Sequence, residues 1–452
     1  MDKELQALMS GTVGFFWPIS ATGHFNEDPE RGFVSKANLG RLEVRTLNEN
    51  PDSDAFSSSS RVRPHAIVSL FPEGSAVILN ISNHGGTSNI GGRRASAYSY
   101  TGRTAISGFP VEQLLAARVD VRVKELHAHF PGISQWAGLK VTEMEHERKP
   151  DGRVSAAVVR LKSPEEVRAV LGPLSLVIGG HWEVDNGDDR ASIYSPVSIG
   201  VKAKRARNVA ELLEMLVRVQ DLVNVAYDTY MPVDGGIAVM SAEAAPDPNP
   251  RFWSDRLMEG PGHHVARSGR RGLPLFTLAD MNGASGVSRW VRLYDEFPSV
   301  FDAVVTPYRV GSMSWSGYMR ETAVGIDRLI AASKAKGRPA WASVRPQSYA
   351  LARRVGAPFA DFVGDVKEWA DLFWAVYNGG KHHANYDPDL RGLSTLAISG
   401  NLLLTAYLLQ RCGMPRVALD RIFRDRVNFQ LRAQVRELVK NPPEGLRPTS
   451  SY

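Results

Sequence analysis

The sequence predicts an α+β protein in which a β-rich N-terminal domain is followed by an α-helical bundle. Three observations carry this expectation. Short runs rich in β-branched and aromatic residues, separated by Gly, Pro, Ser and Asn, fill the first part of the chain. In the last part, apolar residues recur every three to four positions over long segments joined by short Pro/Gly connections, the pattern of packed antiparallel helices. Between the two lies APDPNPRFWSDRLMEGPGHHVARSGRRGLP, residues 245–274, crowded with Pro, Gly and charge and read as a linker near the boundary. The length, 452 residues, suits two or three folded units at about 150 residues each. The domains expected are 1–280 and 281–445.

The strand signals come in order. GFVSKANLGRLEVRTLN, HAIVSLF, SAVILNIS and SAYSYTGRTAI read as strands of a sandwich or barrel-like sheet. The serine-rich NPDSDAFSSSSRVRP has little to bury and is expected to be a loop. SNHGGTSNIGGRR is glycine-rich but lacks the G-x-x-x-x-G-K-[ST] phosphate-loop pattern, so a hairpin loop is expected. RVDVRVKELHAHF, GRVSAAVVRL, SLVIGGHWEVD and SIYSPVSIGVKAK continue the strands, interrupted at SPEEVRAVLG by a short helix with a serine cap and an acidic first turn. NVAELLEMLVRVQDLVNVAYD is expected to be a helix capped by Asn208, and GGIAVMSAE a further strand. The helical part is read as SGVSRWVRLYDEF, SWSGYMRETAVGIDRLIAASKA, SYALARRVG, PFADFVGDVKEWADLFWAVYN, LRGLSTLAISGNLLLTAYLLQRC and a basic terminal helix.

Composition narrows the class. With 43% hydrophobic and 23% charged residues the chain is of soluble globular type, and no apolar run is read as a bilayer span. The apolar patch VGFFWPI near the start is too short and too aromatic for a secretory signal, so a cytoplasmic location is expected. Cys412 is the one cysteine, which excludes an intrachain disulfide and a cysteine-rich zinc site and leaves a small buried hydrophobe. A net charge of +6 permits an acidic partner without requiring one. It is concentrated near the end, where Arg416, Arg421, Arg424, Arg426, Arg432, Arg436 and Lys440 face Asp420, Asp425 and Glu437. Such a face is either a solvated surface or a contact for a phosphate backbone.

Three histidine pairs, His127 with His129, His263 with His264, and His382 with His383, raise a metal site, but none has the spacing of a helical metal pair. His127 and His129 alternate on a strand with no nearby carboxylate to complete a metal constellation, and Asp185, Asp188 and Asp189 cluster around a hairpin turn without the ligand order of a calcium loop. No metal and no cofactor are expected.

The stretch FWAVYNGGKHHANYDPD, residues 373–389, carries more chemistry. If its helix continues past the glycines, Asn378 and His382 stand four apart on one face with Lys381 beside them. Histidine moves protons near neutral pH, an amide orients a ring or a phosphate, and an ammonium holds an anion, which is what metal-free RNA cleavage by the neighbouring 2′-hydroxyl requires. Against this, Gly379 and Gly380 each cost a helix interior about 1 kcal/mol relative to Ala, so the helix has a reason to end there and leave the histidines on a loop. The residues alone leave both readings open.

GFFWPISATGHFNEDPERGFVSKANLGRLEV, VDVRVKELHAHFPGISQWAG and RWVRLYDEFPSVFDAVVTPYRVGSMSWSGYMRETAVGIDRLI, taken in this order, resemble the ApeA-type HEPN proteins of bacterial anti-phage defence. That resemblance implies a β-rich ApeA-like N-terminal domain followed by a HEPN bundle. The HEPN motif is R-N-x-x-x-H, and YNGGKH from Tyr377 to His382 aligns with it, with tyrosine at the arginine position. The resemblance therefore implies a metal-independent endoribonuclease in which His382 does acid–base chemistry and Asn378 orients. Lys381 or a partner's arginine would supply the missing charge, and His383 is the alternative ring. It further implies a homodimer formed through the HEPN bundle, an RNA substrate such as tRNA, a phage-derived trigger and no membrane. The alternative is a catalytically silent HEPN module that binds RNA, a nucleotide or a partner protein, because a phenol supplies no positive charge.

Overall fold

The structure is a computed structural model, which describes residues 3–25, 27–37, 40–48, 64–90, 93–117, 121–186, 191–239, 250–260, 273–335, 346–383 and 385–446. The serine-rich segment up to residue 63, His263, His264, Asp188 and Asp189 lie outside the described residues. A β-rich N-terminal half precedes a helical C-terminal region. The chain divides into two compact units: the first holds residues 1–131, 172–217 and 232–259, the second 132–171, 218–231 and 260–452.

In the first unit, α1 (Lys3–Ser10) is followed by β1 (Thr12–Ile19), β2 (Glu30–Lys36), β3 (Leu42–Asn48), β4 (Ala66–Phe71), β5 (Gly74–Leu79), β6 (Ser82–Ile90), β7 (Arg93–Gly102), β8 (Thr104–Ser107) and α2 (Val111–Ala117). Then β9 (Arg122–Phe130) leads into α3 (Ser134–Ala137), β10 (Thr142–Arg148), β11 (Val154–Leu161) and β12 (Val167–Leu171) of the second unit. The first unit resumes with β13 (Leu174–Gly180), β14 (Glu183–Asn186), β15 (Ala191–Tyr194) and β16 (Val197–Asn208), and α4 (Val209–Tyr227) follows directly, its residues from Arg218 on belonging to the second unit. It closes with β17 (Gly236–Val239), β18 (Phe252–Ser254) and α5 (Asp255–Met258).

Nine of these strands form one antiparallel sheet in the order β18-β8-β5-β4-β1-β2-β3-β7-β6. Its core is Phe16, Val34, Val44, Ile67, Ile78, Tyr100 and Trp253, with Leu5 and Leu8 of α1 laid over it. The side chains alternate as a half-buried strand requires: in β1, Phe16 is buried while Val13 and Phe15 are exposed. A second sheet runs β13-β16-β9-β17, built on Leu126, Ala128, Phe130, Ile199 and Val201.

Several local expectations are corrected. SPEEVRAVLG contains no helix: Val167–Leu171 is a strand whose Ala169 and Leu171 are buried while Arg168 and Val170 are exposed, a period of two that overrides a weak local capping signal. Within SNHGGTSNIGGRR, Ser82–Ile90 is strand β6 paired with β7 rather than loop. The expected linker holds RFWSDRLM, which forms β18 and α5 because Phe252, Trp253 and Leu257 are fully buried. The Asn208 cap is present, its Oδ1 accepting the Ala210 N–H at 2.9 Å.

The second unit adds α6 (Ala284–Glu296), α7 (Pro298–Val310), α8 (Trp315–Ala335), α9 (Gln347–Val355), α10 (Ala357–Val363), α11 (Val366–His382), α12 (Leu390–Cys412), α13 (Arg416–Arg424) and α14 (Arg426–Lys440). PFADFVGDVKEWADLFWAVYN is two helices, broken at Gly364, which takes φ +87°. Asp365 then caps α11, accepting the N–H groups of Lys367 and Glu368 at 2.9 and 3.0 Å. The basic terminal helix is also two, divided at Asp425. Its arginines are partly committed to the chain itself: Arg421 pairs with Asp280 and Arg436 donates to the Asp361 carbonyl.

α12 is long and apolar enough by length and composition to cross a membrane, but 83% of its most apolar window is buried inside the protein. It is the central core helix of the bundle. Cys412, at its end, is buried, and that burial pushes its thiol up to about 12.

Candidate functional site

α11 places the stretch singled out above. Trp369, Phe373, Val376 and Gly379 recur at helical spacing and form its buried face. Trp369 Nε1 donates to Ser399 Oγ of α12 at 3.0 Å, and the Phe373 ring fills the space that a side chain at Gly400 would need. The helix does not stop at the glycines. It continues to His382, and the His383 N–H closes the last turn on the Gly379 carbonyl at 3.0 Å. Asn378, half-buried, and His382, exposed, are therefore one turn apart on one face.

Gly379 has a packing role. A Cβ there would lie 2.9 Å from the Tyr386 ring, which crosses the helix at this point and donates its hydroxyl to the Leu446 carbonyl at 2.5 Å. Burial pushes the Tyr386 hydroxyl up to about 12, so it remains a donor. Gly380 meets nothing within 4 Å and opens instead onto a cavity.

That cavity has a volume of about 600 Å³ and is lined by Tyr377 and Lys381 of α11, Ser316 and Arg320 of α8, Ser314 just before α8, and Tyr386. Among its described lining residues there are two cations and no carboxylate. Lys381 Nζ sits 5.8 Å from the Tyr377 ring centroid, a cation–π contact across one helical turn. The Trp374 ring centroid lies 5.2 Å from that of Tyr377. Asn378 and His382 occupy the neighbouring strip of the helix, about 100° around from Tyr377 and Lys381, and are not among the lining residues. His383, half-buried, caps the helix. Arg320, Ser314 and Ser316 carried no spacing signal in the sequence, because they reach the site through the packing of α8 against α11.

The histidines of the first unit form a different arrangement. His127 Nε2 lies 2.9 Å from Glu125 Oε2, which also takes Lys202 at 3.0 Å. Gly200 leaves the space into which the His127 ring fits. His129 stacks on His181 at 4.3 Å, and His181 bonds Glu183 at 3.0 Å. Burial first, then the charges of His181 and Arg251, push His129 down to about 4. Among the described residues, no group of three or more His, Cys, Asp or Glu side chains is arranged to hold a metal ion.

The family model described as ApeA N-terminal domain 1 matches residues 12–290. The chain belongs to the ApeA N-terminal domain 1 family. The ApeA match takes in β1 to β18 and extends into α6. Membership in the ApeA family is consistent with a part in anti-phage defence. No curated protein and no solved structure matches the chain.

Proposed function

We propose that this ApeA-family chain is a metal-independent endoribonuclease of anti-phage defence, its second unit acting as a HEPN-type catalytic module. The observation that carries this reading is the continuity of α11 through Gly379 and Gly380, which sets Asn378 and His382 on one face beside a cationic cavity. The reaction is attack of a ribose 2′-oxygen on the adjacent phosphorus with departure of the 5′-oxygen, leaving a 2′,3′-cyclic phosphate and a 5′-hydroxyl. The 2′-hydroxyl loses a proton and the leaving oxygen gains one, and imidazole is the side chain suited to both transfers near neutral pH. His382 takes that role, Asn378 orients the ring or the phosphate, and Lys381 holds the anion. His383, whose backbone closes the helix, is the less favoured ring. The protein works in the cytoplasm as a homodimer joined through the helical domain, on RNA such as tRNA, after a phage-derived trigger.

The test is incubation of the purified protein with total RNA in EDTA, with and without phage lysate, beside His382→Ala. Cleavage by the wild type that is lost in the variant is expected. Intact RNA under every condition would remove the enzyme reading, and equal cleavage by the variant would remove the site.

A second reading, a catalytically silent module that binds RNA, a nucleotide or a partner protein, is favoured by one observation: position 377 is a tyrosine, with no guanidinium of its own. Tyr377→Arg separates the two. Under the silent reading it creates cleavage or toxicity, whereas an enzyme adapted to tyrosine gains little.

A further inference from the structure

The cavity beside α11 has an electrostatic character that the motif stretch alone does not give it. Its described walls combine the guanidinium of Arg320, the ammonium of Lys381, two serine hydroxyls and two tyrosine rings, with no carboxylate. Arg320 is 71% exposed, and among the described residues its ion-pair contact is a long one, 3.8 Å to its sequence neighbour Glu321. An adjacent pair of this kind is screened by water and leaves most of the guanidinium's donors available. Lys381 is laid over the Tyr377 ring, so its charge is held at the cavity wall.

The volume, about 600 Å³, falls in the range of small-molecule sites, roughly 300–1,000 Å³, and is far more than a lone phosphate group fills. Two cations, hydroxyl donors and aromatic faces in such a space match one nucleotide unit of a single strand, its phosphodiester on the cations and its base against a ring.

We propose that this cavity binds a nucleotide unit of single-stranded RNA, and that Arg320 of α8 supplies the guanidinium that position 377 lacks. Arg320 is a substrate-positioning residue. It holds a phosphodiester through its planar fork, while Lys381 acts as a point charge on the same group. The proposal rests on the ribonuclease reading for its choice of RNA, but the binding it describes does not require cleavage.

The probe is a short fluorescein-labelled 2′-O-methyl RNA, which lacks the 2′-hydroxyl nucleophile and stays intact whether or not the protein cuts RNA. Its affinity is measured by fluorescence anisotropy over a range of salt concentrations for the full chain and for Arg320→Gln, Arg320→Lys and Arg320→Gln/Tyr377→Arg. Arg320→Gln should weaken binding roughly tenfold and lower the slope of log Kd against log salt by about 0.7, the signature of one lost phosphate contact on a single strand. Arg320→Lys should keep the salt slope and recover part of the affinity, and moving the guanidinium to position 377 should restore most of it. The side chain is exposed, so thermal unfolding of Arg320→Gln should match the wild type.

Unchanged affinity and salt slope in Arg320→Gln would overturn the proposal. So would Arg320-dependent binding of free UMP or ATP with no change towards the oligonucleotide, which would make the cavity a mononucleotide site. Arg320-dependent binding with unmodified RNA left uncut would sustain this site and refute the enzyme. Cleavage indifferent to Arg320 would do the reverse.

Discussion

The two glycines of α11 allow a paired substitution whose halves should move in opposite directions. Both positions are helical, so replacing either with alanine removes backbone freedom from the unfolded chain and should stabilise by about 0.5–1 kcal/mol. At Gly380 nothing lies within 4 Å of the new methyl, and that gain should be realised in full. At Gly379 the methyl would stand 2.9 Å from the Tyr386 ring. Overpacking of this kind costs about 1–3 kcal/mol, and displacing the ring from the Leu446 carbonyl forfeits about 1 kcal/mol more. Gly379→Ala should therefore lose about 2 kcal/mol net, which for a unit of this size is a fall in Tm of about 4–8 °C. Gly380→Ala should rise by about 2–3 °C. The assay is thermal unfolding followed by circular dichroism, with Tyr386→Ala and Gly379→Ala/Tyr386→Ala completing a cycle. Once the ring is gone, alanine at 379 should stabilise as it does at 380. If Gly379→Ala alone is as stabilising as Gly380→Ala, the ring does not cross the helix there, and the account of why the helix tolerates glycine at this point is wrong.

Three further outcomes are expected. His129 holds its proton less readily folded, at about 4, than unfolded, at about 6.5, so its contribution is complete above the unfolded value and drains as pH falls towards the folded one, about 3 kcal/mol in all. Urea midpoints at about pH 7 and about pH 4.5 should converge in His129→Phe relative to the wild type. Arg309 holds the buried Asp221 with Nη2 at 2.6 Å and Nε at 2.7 Å; Arg309→Met removes this pairing from a buried carboxylate and should cost about 3 kcal/mol in chemical unfolding. Asp365→Ala removes the side-chain acceptor for two N–H groups at the start of α11 and should cost about 1 kcal/mol, seen as faster amide exchange in the first turn of that helix.

The sequence was most legible where periodicity is repeated and strong. β4, β5, β9 and β16 alternate or run apolar, and α4 and α12 show long helical runs, so the order of sheets before helices was readable. It was least legible where a local signal competes with packing. Ser163 and the two glutamates after it look like a helix start, yet the alternating burial of the residues that follow is that of a strand. The linker's prolines and glycines hid Phe252 and Trp253, whose burial places them at the edge of the large sheet. At the candidate site, Asn378, His382, Tyr377 and Lys381 were found because they are near one another along the chain. Arg320, nearly sixty positions earlier, was not, since nothing in a single sequence reports that α8 and α11 share a cavity. The glycine penalty was correctly counted but its purpose was not, because the ring that needs the space comes from Tyr386 on the following turn.

α12 has apolar side chains around nearly its whole circumference and packs against α6, α7, α8, α9, α11, α13 and α14. Five of those seven partners precede it in the chain, so during synthesis they leave the ribosome first and stand ready to receive it. A nascent chain whose earlier helices are slow to assemble would present to the cell a segment greasy enough to be bound by chaperones or to self-associate. Defects in α6 to α9 should therefore register as insoluble protein before they register as lost activity.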